Sequence, residues 1–258
     1  MNNAPIGIFD SGIGGITIFK SIQKLLPKEN IIYFSDNLNS PYGNKNKKEI
    51  QILSLKNSEW LLNKGCKIIV VACNTATTNC ISMLRKSFKT PFIGVEPAIK
   101  PAATNTRTGN IGVLATKGTL NSNLFEITSN DYCSKINIIE KNGDGLVDMI
   151  ENGILNGTEI EKLLLKFLSP MIKSNIDHLV LGCTHYPLIN DSIEKILPNN
   201  VKIFNKLDFL TYKQVFISKY STMAYDFISQ KIPFYVLHKN ALDYNCPKFL
   251  KKKMYKLK

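Results

Sequence analysis

The stretch Ile69-Val70-Val71-Ala72-Cys73-Asn74-Thr75 decides the fold, because a short apolar run passes directly into a cysteine and two polar residues. A run of this length fits a strand buried on both faces, and the polar residues after it fit the start of a helix. The pattern returns 110 residues later in Leu179-Val180-Leu181-Gly182-Cys183-Thr184-His185. Working outward, Ile6-Gly7-Ile8-Phe9-Asp10-Ser11 parallels Ile111-Gly112-Val113-Leu114-Ala115-Thr116, and Ile31-Ile32-Tyr33 parallels Ile136-Asn137-Ile138, both at an offset of 105. Strands are therefore expected at 6–9, 31–34, 68–72, 92–95, 111–114, 136–139, 179–182 and 201–204. Helical patterns fill the intervals at 15–26, 47–64, 75–87, 120–129, 145–152, 158–175 and 190–197, with Pro27, Pro91 and Pro198 just past helix ends. Strands alternating with helices give an α/β chain with mostly parallel sheets. The repeat predicts two similar, pseudo-symmetric α/β domains, 1–97 plus 206–258 and 98–205, with a shared site in the cleft between them. Ligands on open parallel sheets bind at the carboxyl ends of the strands, where each half places a cysteine.

Length and composition are compatible with this. The chain has 258 residues, 44% hydrophobic and 21% charged, which excludes a collagenous, mostly disordered or disulfide-stapled protein. The formal charge is +13, a value that ordinarily suggests nucleic acid, an anionic membrane surface or an acidic ligand. Only two of the 33 basic residues are arginines, Arg85 and Arg107. Arginine is the residue suited to bidentate phosphate and base contacts, so a lysine surplus reads as compositional drift. The lysine-rich end from Lys248 to Lys258 is the one segment left as a candidate nucleic-acid contact. The start, MNNAPIGIFDSG, has neither a basic nor an apolar leader region, and no apolar stretch reaches the ~18 residues that span a membrane. A cytoplasmic protein with reduced thiols is expected.

Two segments carry the chemistry. Cys73 lies between a strand and a helix start, where unsatisfied N–H groups and a partial positive charge are expected to lower the thiol pKa. Cys183 lies in the equivalent position, with His185 two residues away as a general acid or base. A metal site at Cys183-Thr184-His185 is not supported, since no second Cys or His pair stands at ligand spacing. Asp10-Ser11-Gly12-Ile13-Gly14-Gly15 follows the first strand and opens a helix, a natural cradle for a carboxylate or phosphate. It is neither a dinucleotide fingerprint, since Thr17 occupies the third glycine position, nor a Walker loop. Asp10 disfavours a polyanion, whereas an amino acid offers an ammonium to Asp10 and a carboxylate to the loop amides. Ser40-Pro41-Tyr42-Gly43 is a turn, and Asp36 ends the second strand at the same edge.

These segments together, with Tyr33-Phe34-Ser35-Asp36, Ala72-Cys73-Asn74-Thr75-Ala76, Gly94-Val95-Glu96-Pro97 and Leu181-Gly182-Cys183-Thr184-His185-Tyr186-Pro187-Leu188, resemble the glutamate racemases of the cofactor-independent aspartate/glutamate racemase superfamily. The resemblance covers about residues 5–200 in the family's order. It implies a two-base reaction without cofactor or metal, in which one of Cys73 and Cys183 takes the α-proton of glutamate and the other returns a proton to the opposite face. It further implies that Asp10 assists Cys73, that His185 with Glu151 assists Cys183, and that Ser11, Pro41, Tyr42, Gly43, Asn74, Thr75, Thr116 and Thr184 join Asp10, His185 and the cysteines around the substrate, with Asp36 in support. The implied role is supply of D-glutamate for peptidoglycan by a monomer or homodimer. Where the family has an Asp-Ser-Gly-like turn, this chain reads Phe204-Asn205-Lys206-Leu207-Asp208-Phe209, and 206–258 matches poorly. Alternatives are an aspartate racemase or another two-cysteine racemase, a hydrolase using Cys183 and His185 alone, and a binding or inhibitory protein working through its basic surface.

Overall fold

The computed structural model describes residues 4–133 and 135–204 and the backbone of 234–236. The expectations for the turn at 205–209, for most of 206–258 and for the lysine-rich end lie outside these residues. Among the described residues no helix is long and apolar enough to cross a membrane.

Two parallel sheets organise the chain. In the first, β1 (Ile6–Asp10) lies between β2 (Ile31–Ser35) and β3 (Ile68–Val71), with β4 (Phe92–Gly94) outside β3 and β9 (Phe234–Val236) outside β2. In the second, β5 (Asn110–Ala115) lies between β6 (Asn137–Asn142) and β7 (His178–Gly182), with β8 (Lys202–Phe204) outside β7. Every pairing is parallel, with Ile6 opposite Ile31 and Ile68 in one sheet and Ile111 opposite Ile138 and His178 in the other. β5 thus repeats the place of β1, β6 that of β2, β7 that of β3 and β8 that of β4. All eight strands expected from the apolar runs are present; β9 is an addition.

Each sheet is covered on both faces, as all-parallel sheets require. On the first, Phe9, Phe34, Ile69 and Val71 pack with residues of α2 (Lys47–Asn63) and α3 (Asn74–Ser87). The alternate residues Ile8, Ile31, Tyr33 and Val70 pack on α1 (Ile16–Leu25) through Ile16, Phe19 and Ile22. The two-residue alternation of a strand divides them. On the second sheet, Leu114, Leu179 and Leu181 meet α7 (Leu146–Glu151), α8 (Thr158–Lys173) and α9 (Asn190–Glu194). Ile111, Val113 and Val180 meet Ile99 and Ala102 of α4 (Ile99–Asn105) and Phe125 of α6 (Asn123–Cys133).

Three helical expectations need correction. α4 was not expected, because Pro101 lies within it; the missing N–H is tolerated in a first turn. The helix expected at 120–129 is two, α5 (Lys117–Leu120) and α6, because the Ser122 hydroxyl takes the Phe125 amide and starts the chain afresh. The helix expected over 190–197 is regular only to Glu194.

At the end of the second sheet remote from the strand carboxyl ends, Asp177 fastens the chain entering β5. Its carboxylate accepts from Thr106 Oγ1 at 2.7 Å, the Arg107 amide at 2.6 Å, the Thr108 amide at 3.1 Å and His178 Nδ1 at 2.7 Å. Partial burial alone would raise its pKa, but these hydrogen bonds outweigh it and hold the carboxyl well below the usual carboxylate range. A depressed folded-state pKa stabilises the fold above the unfolded value of about 3.9 and ceases to do so as the pH falls through the folded one. Asp177→Asn is expected to lower the unfolding free energy by about 1–3 kcal/mol at neutral pH, and the gap to the wild type should narrow below about pH 4 in denaturant titrations.

Candidate functional site

The carboxyl ends of the two sheets face each other, and the central strands of each deliver the polar residues. β1 ends at Asp10 and β3 is followed by Cys73; β5 is followed by Thr116 and β7 by Cys183. In each sheet these two strands send their connections to opposite sides, the switch point where open sheets form a crevice.

Asp10 is fully buried, yet it makes no ion pair among the described residues. Its Oδ2 accepts from the amides of Gly12 at 3.1 Å and Gly15 at 3.2 Å, and its Oδ1 accepts from the Thr184 hydroxyl of the opposite half at 3.1 Å. Burial raises its pKa, against the opposing effects of His185 and these donors. The Ile13 amide donates to Glu151 Oε1 at 2.9 Å. The glycine-rich loop therefore cradles two carboxylates of the protein itself, not the ligand carboxylate expected from sequence. Its glycines make this possible: a Cβ at Gly12 would lie 1.8 Å from Glu151 Oε1, and one at Gly14 would lie 2.6 Å from the His185 amide nitrogen.

Cys73 caps α3, its sulfur accepting the Ala76 amide at 3.5 Å and donating to the Ser11 hydroxyl at 3.6 Å. The expected helix contact exists, but the pKa moves the other way. Burial, and then the charge of Asp10, push the thiol up to about 12, and the helix amide offsets only part of this. Cys183 is also buried. Its sulfur lies 3.7 Å from His185 Nδ1, while His185 Nε2 donates to Glu151 Oε1 at 2.5 Å. Burial alone would lower the imidazole pKa; its contacts with Cys183 and Glu151 reverse that and hold it well above the ordinary histidine value. The imidazole thus bridges Cys183 and the Glu151 carboxylate.

The remaining residues named from sequence are distributed as follows. The hydroxyls of Thr75 and Thr116, from opposite halves, lie 2.8 Å apart, and both reach Thr119, at 3.2 and 3.1 Å. Gly43, beside Pro41, sits so close to Thr116 that a Cβ there would lie 2.6 Å from its Cβ. Asn74 is buried with neither side-chain polar atom partnered, and it lines a small cavity with Cys183 and Thr184. The Tyr42 hydroxyl is buried and committed, donating to Asp36 Oδ2 at 2.5 Å and accepting from Asn57 at 2.9 Å, which leaves the backbone of Tyr42 as its means of contact with a ligand. Two residues were not legible from sequence. Tyr33 donates to the Gly12 carbonyl at 2.7 Å, and Asn37 Nδ2 donates to Glu151 Oε2 at 2.8 Å; both partners are distant in the chain. Among the described residues no group of three His, Cys, Asp or Glu has the arrangement of a metal site.

Comparison with known proteins agrees with this geometry. Residues 6–207 match the family model of the Asp/Glu/hydantoin racemases. The chain is 42% identical over 203 residues to a glutamate racemase of Cupriavidus pinatubonensis, covering 79% of this chain and 75% of that one. It is likewise 42% identical over 206 residues to one from Clostridium perfringens, with 80% and 79% covered. Among solved structures, a glutamate racemase of Bacillus anthracis superposes with a TM-score of 0.80 at 32% identity, over 91% of this chain and 89% of that one. The Escherichia coli glutamate racemase in complex with L-glutamate and an activator gives 0.79 at 27% identity, over 92% and 91%.

The neutral Cys73 thiol is open to direct measurement. At about pH 8 and about 240 nm, where thiolates absorb, the ligand-free wild type and Cys73→Ser should have equal absorbance; excess absorbance in the wild type would show that the helix terminus prevails over burial and Asp10.

Proposed function

Because the chain belongs to the Asp/Glu/hydantoin racemase family, whose reactions are isomerisations, we propose that it interconverts L- and D-glutamate at this cleft, with Cys73 and Cys183 as the two proton carriers. The observation that carries this reading is the placement of two buried thiols at equivalent strand ends of two opposed halves. Inversion at an α-carbon needs a proton removed from one face and returned to the other, and one side chain does not serve both. The unpartnered amide of Asn74 beside Cys183 supports a polar ligand at the same place.

In one direction the Cys73 thiolate takes the α-proton and becomes a thiol, while the Cys183 thiol gives its proton to the opposite face and becomes a thiolate. The reverse reaction exchanges the two. The high pKa of Cys73 in the ligand-free site has a natural remedy in the substrate. An α-ammonium beside Asp10 offsets the negative charge that, after burial, most opposes the thiolate. On the other side, the cationic His185 held by Glu151 stabilises the Cys183 thiolate. Ser11, Asn74, Thr75, Thr116, Thr184 and the backbone amides of Tyr42 and Gly43, in the turn that Pro41 opens, supply donors for the substrate oxygens, which require them once water is excluded. Tyr42 and Asp36 support the Pro41–Gly43 turn from behind. The reaction proceeds without cofactor, in the cytoplasm, and supplies D-glutamate for peptidoglycan; the enzyme acts as a monomer or homodimer.

Incubation with L- or D-glutamate in deuterated buffer should bring both to a racemic mixture with deuterium at the α-carbon, while aspartate should retain its rotation. Cys73→Ser and Cys183→Ser should each lower kcat/KM by roughly 10²–10⁴-fold, the range for loss of a positioned acid or base. Full racemisation by either variant would exclude the two-thiol reaction, and activity dependent on Cys183 but not Cys73 would favour a hydrolase.

A further inference from the structure

We propose that Asn37 is a positioning residue for the Cys183 side of the reaction, acting through Glu151 and His185; this rests on the racemase reading above. Asn37 begins the short turn Asn37–Asn39 after β2, in the half opposite Cys183. Its Oδ1 accepts from the Ser35 hydroxyl, which leaves its Nδ2 to donate to Glu151 Oε2 at 2.8 Å. The other oxygen of Glu151 accepts from His185 Nε2 at 2.5 Å and from the Ile13 amide at 2.9 Å, and His185 Nδ1 faces Cys183 at 3.7 Å. A continuous polar chain therefore runs across the cleft from Ser35 through Asn37, Glu151 and His185 to the thiol.

The second carboxylate oxygen matters for a geometric reason. Glu151 lies at the end of α7, and its side chain is 11% exposed, so an oxygen without a partner has both freedom to rotate and access to water. With Oε1 and Oε2 both held from the opposite half, the plane of the carboxylate is fixed, and with it the direction of the His185 ring. A donor at Oε2 also leaves Oε1 directed at His185 Nε2 and the Ile13 amide, so the ring is oriented toward Cys183. Asn37 touches neither thiol nor any space lined by Asn74, Cys183 and Thr184, so its effect is confined to one of the two proton transfers.

Asn37→Ala and the isosteric Asn37→Asp test this, with Asn79→Ala as the comparison. Asn79 Nδ2 makes a different contact between the halves, to the Gly118 carbonyl at 2.8 Å, outside the chain to Cys183. Both Asn37 variants should lower kcat roughly ten- to a hundredfold, the size expected for a lost hydrogen bond to a charged group, with KM within about twofold. The α-deuterium isotope effect on kcat/KM should rise for the glutamate enantiomer whose proton Cys183 takes and fall for the other, because the Cys183 transfer becomes the slower step. Asn79→Ala should leave the ratio of the two isotope effects at the wild-type value. Wild-type isotope effects for both enantiomers in the Asn37 variants would overturn the proposal whatever the change in kcat, as would the same asymmetry in Asn79→Ala. Absence of racemisation by the wild type would overturn the racemase reading instead.

Discussion

Asp10 is a carboxylate taken wholly out of water and held by two amides and one hydroxyl, without a salt bridge among the described residues, and the rest of the site depends on that arrangement. Burial of an ionised group is costly unless its lone pairs are filled, which accounts for the sharp turn of the chain immediately after β1. A Cβ at Gly15 would lie 2.6 Å from Asp10 Cβ, so the close approach of that amide to Oδ2 needs a residue without a side chain. The last donor comes from Thr184, so the carboxylate is complete only when the second half of the molecule is in place. The same charge adds to burial in opposing ionisation of the Cys73 sulfur.

Glu151 is the counterpart from the other half. Asp10 projects from the first sheet and is finished by Thr184; Glu151 projects from α7 and is finished by Ile13 and Asn37. Each half thus lends a carboxylate to the other, and the two thiols sit beside these exchanged groups. The environments differ all the same. Among the described residues the charge that bears most on Cys73 is the Asp10 carboxylate, whereas Cys183 faces the His185 imidazole. A pseudo-symmetric fold has produced two chemically unequal sides.

Much of this architecture was legible in the chain before any coordinates. Strands such as Ile69–Val71 and Leu179–Leu181 are buried on both faces, so every residue in them is apolar and the run is visible without periodicity. The repeat then located Cys73 and Cys183. What escaped were properties set by distant partners. The helix start at Cys73 is written locally, but the burial that reverses the expected pKa shift is a property of the assembled fold, and the Asp10 charge that adds to it arrives from 63 positions away. The loop amides were expected to be free because nothing in 10–15 announces Glu151. The commitment of the Tyr42 hydroxyl was hidden because one partner, Asn57, belongs to the next helix, nearly three turns beyond its start. α4 was hidden by Pro101, a residue that terminates helices in their interior but not in their opening turn.

Several of the tightest approaches between the halves are made where a side chain is missing. Gly12 admits Glu151, Gly14 admits the backbone at His185, Gly43 admits Thr116 and Gly118 admits Thr75. The seam is a lock whose fit is set by its empty spaces. The positions least able to change are therefore ones with no functional group to lose, and a single added methyl there would part the two halves while every acid, base and thiol stayed in the sequence. In a protein of this design, an intact set of reactive residues is not a guarantee of an intact site.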